Sequence, residues 1–527
     1  MMEEVNCIIL TGNADFPGGI KTTGGYRIAT ELRQAGYSVR VIDITVFDGF
    51  DDELKRILEK LISDKTLWVG FSTNFFATLF NMPQDLANMS LIGADQPLID
   101  FIVYCRKLNP KIKIVAGGFK TWNWPRYKIH HFMSYSDREV VDYTDWLAGK
   151  GKTDLSYHLG VTKGQEFKHF TSSQIRYEET DIMLPGMTLP IEISRGCIFR
   201  CKFCAFPLNG KTKGEWIKKA EVLRAEFIDN YERWGTTNYI FSDDTYNDSL
   251  DKVKLLYDEV FSKLPFKITW TSYLRMDLLM RFPEQVDYLR ESGLRSAVFG
   301  IETINAKSAK IIGKGVPPME QMDFIRDIRN TKWKNVLTSS GFIIGLPADN
   351  LDTAKELDEF LDSTKNPLDH WSINPLHINP PHLRFDADLK MTSEFELNFE
   401  KYGYYFPNSA NGKYSHHWHN DKTGLNFRVC ARQARGIQDK VHYNPRWKNA
   451  GFGINEEVSC GLDIEKLVTL SREEAYQNQD CKSLLELKYH KAIEYKHALL
   501  KSVGLPFDSK FVPTAMTSGE RWKTVLL

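Results

Sequence analysis

The chain has 527 residues, more than one ordinary domain holds, so two or three packed units are expected. Its 68 Lys+Arg balance 68 Asp+Glu, which removes any global electrostatic case for nucleic acid or an acidic membrane surface as partner, while a 42% hydrophobic fraction is ample for packed cores. No apolar run approaches the ~18 residues needed to span a bilayer, and the first residues, Met-Met-Glu-Glu, are acidic where a signal peptide is basic. Eight cysteines in a chain of this length do not make a disulfide framework, so a reduced, cytoplasmic setting is expected.

Residues 5–150 alternate between short β-branched runs and helical stripes. The runs at Asn6–Leu10, Ser38–Ile44, Leu67–Ser72 and Lys113–Ala116 have the length and composition of buried parallel strands. Between them, Ile28, Ala29, Leu32 and Ala35 share a helix face that Gly36 can close. Leu54, Ile57, Leu58, Leu61 and Ile62 form a second stripe, and Leu98, Ile99, Ile102 and Val103 a third. This alternation predicts an α/β, doubly wound (Rossmann-like) domain over 1–150, with its ligands at the carboxyl ends of the strands, in the loops 11–25, 72–80 and 117–124. Residues 151–185 are polar and weakly patterned and read as a linker.

From 186 to 380 the alternation resumes with a regular period. Strands are expected at 190–195, 237–243, 267–274, 294–301, 337–345 and 370–378. Four helical stripes lie between them: Leu223 to Trp234, Leu250 to Leu264, a shorter one after Pro283, and Leu351 to Leu361. Six strand–helix units make a partial (β/α)6 barrel of TIM type, and a complete eightfold barrel would need two more. Residues 381–527 are less regular, with helical patterns near 461–475 and 481–503.

Just after the first barrel strand, Cys197, Cys201 and Cys204 stand at C-x3-C-x2-C spacing. Three thiolates so close can hold three corners of a cubane iron–sulfur cluster and leave the fourth iron without a cysteine. A structural zinc site asks for four ligands, commonly in paired knuckles, and fits this spacing poorly. With Phe203 before the third cysteine, Ile-Glu-Ile-Ser-Arg-Gly-Cys-Ile-Phe-Arg-Cys-Lys-Phe-Cys (191–204) resembles the hallmark of the radical S-adenosylmethionine (SAM) superfamily. That resemblance implies a [4Fe-4S] cluster whose open iron chelates SAM and cleaves it reductively to a 5′-deoxyadenosyl radical. It also implies an electron donor such as flavodoxin or ferredoxin, and a small-molecule or peptide substrate.

Polar residues recur at the ends of the following strands, the edge where barrel chemistry sits. Phe241-Ser-Asp-Asp-Thr resembles the family's site for the SAM amino group, which implies Asp243 or Asp244 as acceptor. Arg275 of Arg-Met-Asp resembles a partner for the SAM carboxylate. Gly-Ile-Glu-Thr at 300–303 is similar to the family's Gly-Ile-Glu-Ser, implying that Glu302 holds ribose or methionyl groups. Gly341-Phe-Ile-Ile-Gly345 resembles the adenine-binding strand. Singly each of these residues reads as a cap or a surface ion pair; in this order and at these strand ends they form a pattern.

The N-terminal domain resembles the cobalamin-binding domain of one radical SAM subgroup, through 25–43, Val69-Gly-Phe-Ser72 and Val115-Ala-Gly-Gly118. The subgroup's Asp-x-His-x-x-Gly is absent from the loop 11–25, so two outcomes stay open: cobalamin bound without that histidine, or a fold kept without its cofactor. The leading expectation is cobalamin-dependent methyl transfer to an unactivated carbon or phosphorus centre. The alternatives are a rearrangement, cyclisation or oxidation without cobalamin, and a non-catalytic cluster-binding protein. Methylthiotransfer is disfavoured, because the first domain has only Cys7 and Cys105 where that group carries three cysteines. Residues 381–527 are expected to cover the barrel mouth and face substrate. There His416-His-Trp-His419 reads as a polar loop and Cys430, Cys460 and Cys481 as single thiols, their separations too wide for a second cluster.

Overall fold

A computed structural model describes residues 4–12, 18–47, 50–72, 95–117, 130–132, 170–204, 210–381, 393–407, 417–442, 453–469 and 481–507. Two parallel sheets organise them. The first contains β1 (Cys7–Thr11), β2 (Val39–Asp43), β3 (Trp68–Ser72), β4 (Lys113–Gly117) and β5 (His130–Phe132) in the order β2-β1-β3-β4-β5. The order reverses between β1 and β3, the switch point where sheets of this type open a crevice. Four strands fall within a residue or two of expectation. β5 was not foreseen, because His130-His-Phe132 is too short and too polar to show a period.

Helices α1 (Thr23–Gln34), α2 (Asp52–Leu61) and α3 (Asp95–Leu108) cross over between these strands. α2 shows why the sequence folds this way. Asp51 caps it by accepting from the Leu54 N–H at 2.8 Å, Asp52 and Glu53 face the positive end, and Leu54, Ile57, Leu58 and Leu61 bury one face. In α3 the described inward residues are Phe101, Ile102 and Cys105, whereas Val103 is 59% exposed, a correction to the expected stripe. At 100° per residue Val103 lies off the face that Phe101 and Cys105 share. Apart from Ser72 and Gly117, the expected ligand loops at 72–80 and 117–124 lie outside the described residues, as do 13–17 of the first loop.

The second sheet runs in sequence order, β6 (Leu189–Ile191), β7 (Asn238–Phe241), β8 (Thr269–Leu274), β9 (Leu294–Glu302), β10 (Leu337–Ile344) and β11 (His370–Pro375), every neighbour parallel. Helices α4 (Ala220–Trp234), α5 (Leu250–Glu259), α6 (Met276–Arg281), α7 (Gln285–Glu291), α8 (Ala306–Ile312), α9 (Pro318–Thr331) and α10 (Thr353–Asp362) fill the crossovers. β6 and β11 are the two edges, and among the described residues no ladder joins them, so the sheet is open, as in a partial barrel of six strand–helix units. Its core joins Leu189, Ile191, Phe241, Trp270, Phe299 and Phe342 from the strands to Leu223, Phe227, Leu256 and Ile325 from the helices.

Residues 170–185, within the stretch read as a linker, pack between the sheets. Arg33 of α1 grips Asp181 with two bonds of 2.7 Å, and the buried Lys21 ammonium donates to the carbonyls of Asp181 (2.6 Å) and Ile182 (2.9 Å). Tyr26 and Tyr177 meet ring to ring at 5.1 Å. The described residues beyond 381 divide four ways. Those at 393–427, with α11 (Glu394–Leu397), reach the carboxyl edge of the second sheet, where Phe395 N–H bonds the Lys202 carbonyl and Trp418 bonds that of Leu376. α12 (Phe427–His442) lines the edge strand β11, with Gln438 accepting from Ile373 N–H at 2.9 Å. α13 (Gly453–Ser459) and α14 (Ile464–Thr469) lie at the amino edge, where Ser459 bonds Thr188 and Val458 packs near Leu337. The last helix, α15 (Cys481–Ser502), returns to the first sheet, burying Tyr495, Leu499 and Leu500 against the core around Ile44, Val46 and Phe47. Among the described residues no helix is long and apolar enough to cross a membrane.

Candidate functional site

β6 ends at Ile191 and the chain enters the cysteine loop. A bridge between Ser194 and Ile217 closes its neck, reinforced by Lys218 N–H to Ile193 O (2.9 Å) and Arg195 N–H to Trp216 O (3.0 Å). Inside, Gly210 N–H and Lys211 N–H both donate to the Cys197 carbonyl, at 2.7 and 3.2 Å. The Cys204 N–H turns back to the Cys201 carbonyl at 3.0 Å, and Lys202 N–H is tied to Ile312 O at 3.1 Å. The three cysteines are therefore fixed by main-chain bonds.

None of these cysteines is in a disulfide, and all three side chains are half-buried where Cys7, Cys105 and Cys430 are buried. Burial pushes the Cys105 and Cys430 thiols up to about 12, so those sulfurs stay protonated and packed. Cys197 Sγ lies 3.2 Å from the Thr245 hydroxyl, and Cys201 Sγ accepts from Arg275 Nη1 at 3.4 Å. Among the described residues no three His, Cys, Asp or Glu side chains group so as to hold one metal ion. A cubane does not ask for that convergence, since each thiolate takes its own iron. Three half-buried thiols on one fixed loop, one of them accepting from a guanidinium, fit such a cluster.

The acidic pair after β7 splits into two roles. Asp243 is buried and spent: Oδ1 accepts from the N–H groups of Ile193 (2.9 Å) and Ser194 (3.0 Å), while Oδ2 accepts from the Ser194 hydroxyl (2.6 Å) and the Lys252 ammonium (3.2 Å). It pins the neck of the cysteine loop. Asp244 accepts from Gly196 N–H at 2.9 Å, and burial pushes its carboxyl up to about 6 despite that bond. After β8, Arg275 holds Asp277 in a fork of 2.9 and 2.6 Å and lies over the Phe199 ring at 3.8 Å. Burial opposes the guanidinium charge, but Asp277 more than offsets it and the pKa rises.

At the end of β9, Glu302 has φ = +72°, a left-handed conformation that a non-glycine residue adopts at a cost of ~1–3 kcal/mol. Its carboxylate lies 3.5 Å from Lys314 Nζ, whose ammonium also donates to Gly300 O at 2.5 Å. A Cβ on Gly300 would stand 2.6 Å from that carboxylate, so the glycine of Gly-Ile-Glu makes room for its own glutamate. Tyr273 of β8 is 47% exposed, and its phenol is raised first by burial and then by the charges of Glu302 and Asp244. Phe203 has the Lys314 ammonium 6.0 Å from its ring centre.

The structure thus links Cys197, Cys201, Asp243, Asp244 and Arg275 directly or through one intervening residue, and joins Glu302 and Phe203 through Lys314. The two glycines of β10 differ. Gly341 is half-buried, and an added Cβ would meet Ser372 at an ordinary 3.7 Å. Gly345, at φ = +97°, would drive a Cβ to 2.7 Å from Trp418, and its carbonyl accepts from the Tyr404 hydroxyl at 2.7 Å. The protein's own later residues fill its surroundings. Sequence reasoning missed Thr245, Tyr273 and Lys314, and it missed Lys252 and Ser194 beneath the loop. Thr245 and Tyr273 sat inside recognised strand ends, and a lysine within the apolar stripe of α5 was the one available sign of Lys252. His417 stacks on Phe427 at 4.8 Å, and His419 pairs in a two-residue strand, His419–Asn420, with Tyr404–Tyr405; His416 lies outside the described residues.

At the first sheet, the described part of the loop after β1 folds towards β2. Gly18 N–H donates to Asp43 at 3.0 Å, and Gly18 packs on Tyr495 of α15. The described residues supply the crevice of a doubly wound sheet but no side chain that would hold cobalt, so no residue is given that role.

Residues 191–361 match the radical SAM superfamily. Those residues carry the cysteine loop and β7 to β10, and a doubly wound sheet precedes them in the chain. An uncharacterised methyltransferase of Pyrococcus horikoshii is 30% identical over 156 residues, covering 29% of this chain and 32% of that protein. A hopanoid C-2 methylase of Rhodopseudomonas palustris is 25% identical over 291 residues, 52% of each chain. The chain spans about a third and about half of the lengths of these two relatives. Similar solved structures include the radical SAM methyltransferase TsrM from Kitasatospora setae with cobalamin and [4Fe-4S] cluster bound (TM-score 0.49, 14% identity, 77% of this chain and 81% of that one). Another is the cobalamin-dependent radical enzyme OxsB with aqua-cobalamin and S-adenosylmethionine bound (TM-score 0.47, 18% identity, 76% and 56%).

Proposed function

We propose that the protein is a radical SAM enzyme that holds a [4Fe-4S] cluster on Cys197, Cys201 and Cys204. One observation carries the reading: three half-buried thiols share the carboxyl edge of an open parallel barrel with Asp244, Tyr273 and Glu302 from the next three strand ends. When bound, the cluster supplies the electron that cleaves SAM to methionine and a 5′-deoxyadenosyl radical. The chain's part is to bind, orient and enclose. Asp243 and Lys252 fix the loop neck, and Asp244 and Glu302 accept from the amino and hydroxyl groups of SAM. Phe203 and the open face at Gly341 give its flat base an apolar wall. Enclosure keeps water from the radical.

The reaction is cobalamin-dependent methyl transfer to an unactivated carbon or phosphorus centre, a reading supported by the doubly wound sheet and by the methylase and methyltransferase among the relatives. Cobalamin would supply the methyl carrier at the β1/β3 crevice. A second reading, radical chemistry without cobalamin, is favoured by the missing histidine of loop 11–25 and by the packing of Tyr495 and Asp43 beside that crevice. Anaerobic reconstitution with SAM and reductant, with and without cobalamin, separates them by mass spectrometry. S-adenosylhomocysteine together with deoxyadenosine, dependent on cobalamin and a substrate, is expected. Deoxyadenosine alone, indifferent to cobalamin, selects the second reading, and no SAM turnover under any reducing condition removes both.

A further inference from the structure

We infer that Arg275 is a positioning residue of the cluster itself, holding its charge against the Cys201 corner and setting the cluster's reduction potential; this rests on the cluster reading above. Three faces of the guanidinium are committed. Nη1 donates to Cys201 Sγ at 3.4 Å, Nε and Nη2 fork onto Asp277 at 2.9 and 2.6 Å, and the plane lies 3.8 Å from the centre of the Phe199 ring. Its main chain is clamped as well: Arg275 N–H donates to Asn247 Oδ1 at 2.7 Å and the Asn247 amide returns a bond to Arg275 O at 3.1 Å. A SAM carboxylate would have to displace Asp277 from the fork, the geometry Arg uses for its strongest pairs.

The three corners are consequently unequal. Cys197 has a neutral hydroxyl beside its sulfur, whereas Cys201 has a full positive charge that is 8% exposed and little screened by solvent. Hydrogen bonds to the sulfurs and local charge are the terms by which a protein moves a cluster's potential. A cation beside one thiolate favours the form with the added electron, and Asp277 subtracts part of that effect.

The test uses full-length protein reconstituted anaerobically, without SAM. Iron and sulfide content and a redox titration followed by electron paramagnetic resonance are measured for wild type, Arg275→Gln, Arg275→Lys and Asp277→Asn, and SAM affinity is measured separately. Arg275→Gln is expected to keep the wild-type iron content and to titrate at a lower potential, Arg275→Lys between the two, and Asp277→Asn at a higher potential than wild type. Shifts of opposite sign are what a merely structural role would not produce. Unchanged potentials with a loss confined to SAM affinity would make Arg275 the carboxylate anchor and overturn the inference. Equal loss of iron in all three variants would reduce it to scaffolding. A wild-type protein that takes up no cluster would overturn the functional reading first.

Discussion

Both parallel sheets end their strands in charged and hydroxyl side chains, yet the two edges are finished differently. At the first sheet, Asp43 receives Gly18 N–H (3.0 Å), Thr45 N–H (2.9 Å) and the Thr45 hydroxyl, and Lys21 spends its protons on two carbonyls between the rings of Tyr26 and Tyr495. Burial lowers that lysine to about 8, and the groups around it belong to the protein. At the second sheet, Asp243 is spent in the same way, but beside it stand half-buried thiols, a 47% exposed Tyr273 and Glu302 in a strained conformation. Residue type at a strand end therefore does not by itself mark a ligand contact. The distinction lies in whether the side chain's bonds are already used.

The sharpest way to break that contrast is Cys201→Ala. After anaerobic reconstitution it is expected to lose the cluster's visible absorbance entirely, with urea unfolding of the cluster-free protein unchanged; a full [4Fe-4S] spectrum would refute the cluster assignment. Asp243→Asn comes next. It leaves the buried Lys252 ammonium without its nearest carboxylate, and removing one member of a buried pair costs roughly 3–5 kcal/mol. Urea denaturation measures this, and a loss below ~1 kcal/mol would mean that Asp248, 3.8 Å away, balances Lys252 by itself.

Asp349 gives a pH-dependent test at the same edge. Burial raises its carboxyl from 3.8 to about 6, against the Ser308 hydroxyl and the N–H groups of Leu346 and Gly345. A carboxyl whose folded pKa is raised binds more protons in the native state between these values, so stability falls as pH rises from about 4 to 6 and levels off above. At ~1.4 kcal/mol per unit the contribution is on the order of 3 kcal/mol. Asp349→Asn should remove that slope from unfolding free energies measured across the window; an identical slope would assign it to other groups. The smallest effect is expected at the first sheet. Tyr495→Phe deletes the hydroxyl that accepts from Asp43 N–H at 3.2 Å, costing ~1 kcal/mol and leaving cluster content unchanged. Loss of the cluster in that variant would end the separation drawn between the two edges.

The sequence made the sheets legible because buried parallel strands read as short β-branched runs, and ten of the eleven strands of the two sheets lay where such runs fell. Their ends were less certain: 190–195 shrank to Leu189–Ile191 because the chain leaves the ladder to form the cysteine loop. Helix α9 went unremarked, although Pro318 stands at its first turn, a position where proline starts a helix. At the site, spacing alone brought out the cysteines. The division of labour between Asp243 and Asp244 was hidden, since adjacent residues in sequence meet different partners only once Lys252 and the loop neck are in place. Gly345 resembled a cofactor contact, whereas its open side is taken by Trp418, 73 positions later (418 − 345).

The placement of α15 has a consequence for the order of events during synthesis. Tyr495 reaches Asp43 across 452 positions of sequence. At ~5–20 residues per second a ribosome needs roughly 20–90 s to cover that distance. Throughout that interval the apolar surface around Ile44, Val46 and Phe47 lacks the helix that finally covers it. The first sheet is thus made early and completed late, and a chain stopped before Cys481 is expected to expose a surface that chaperones bind and proteases find.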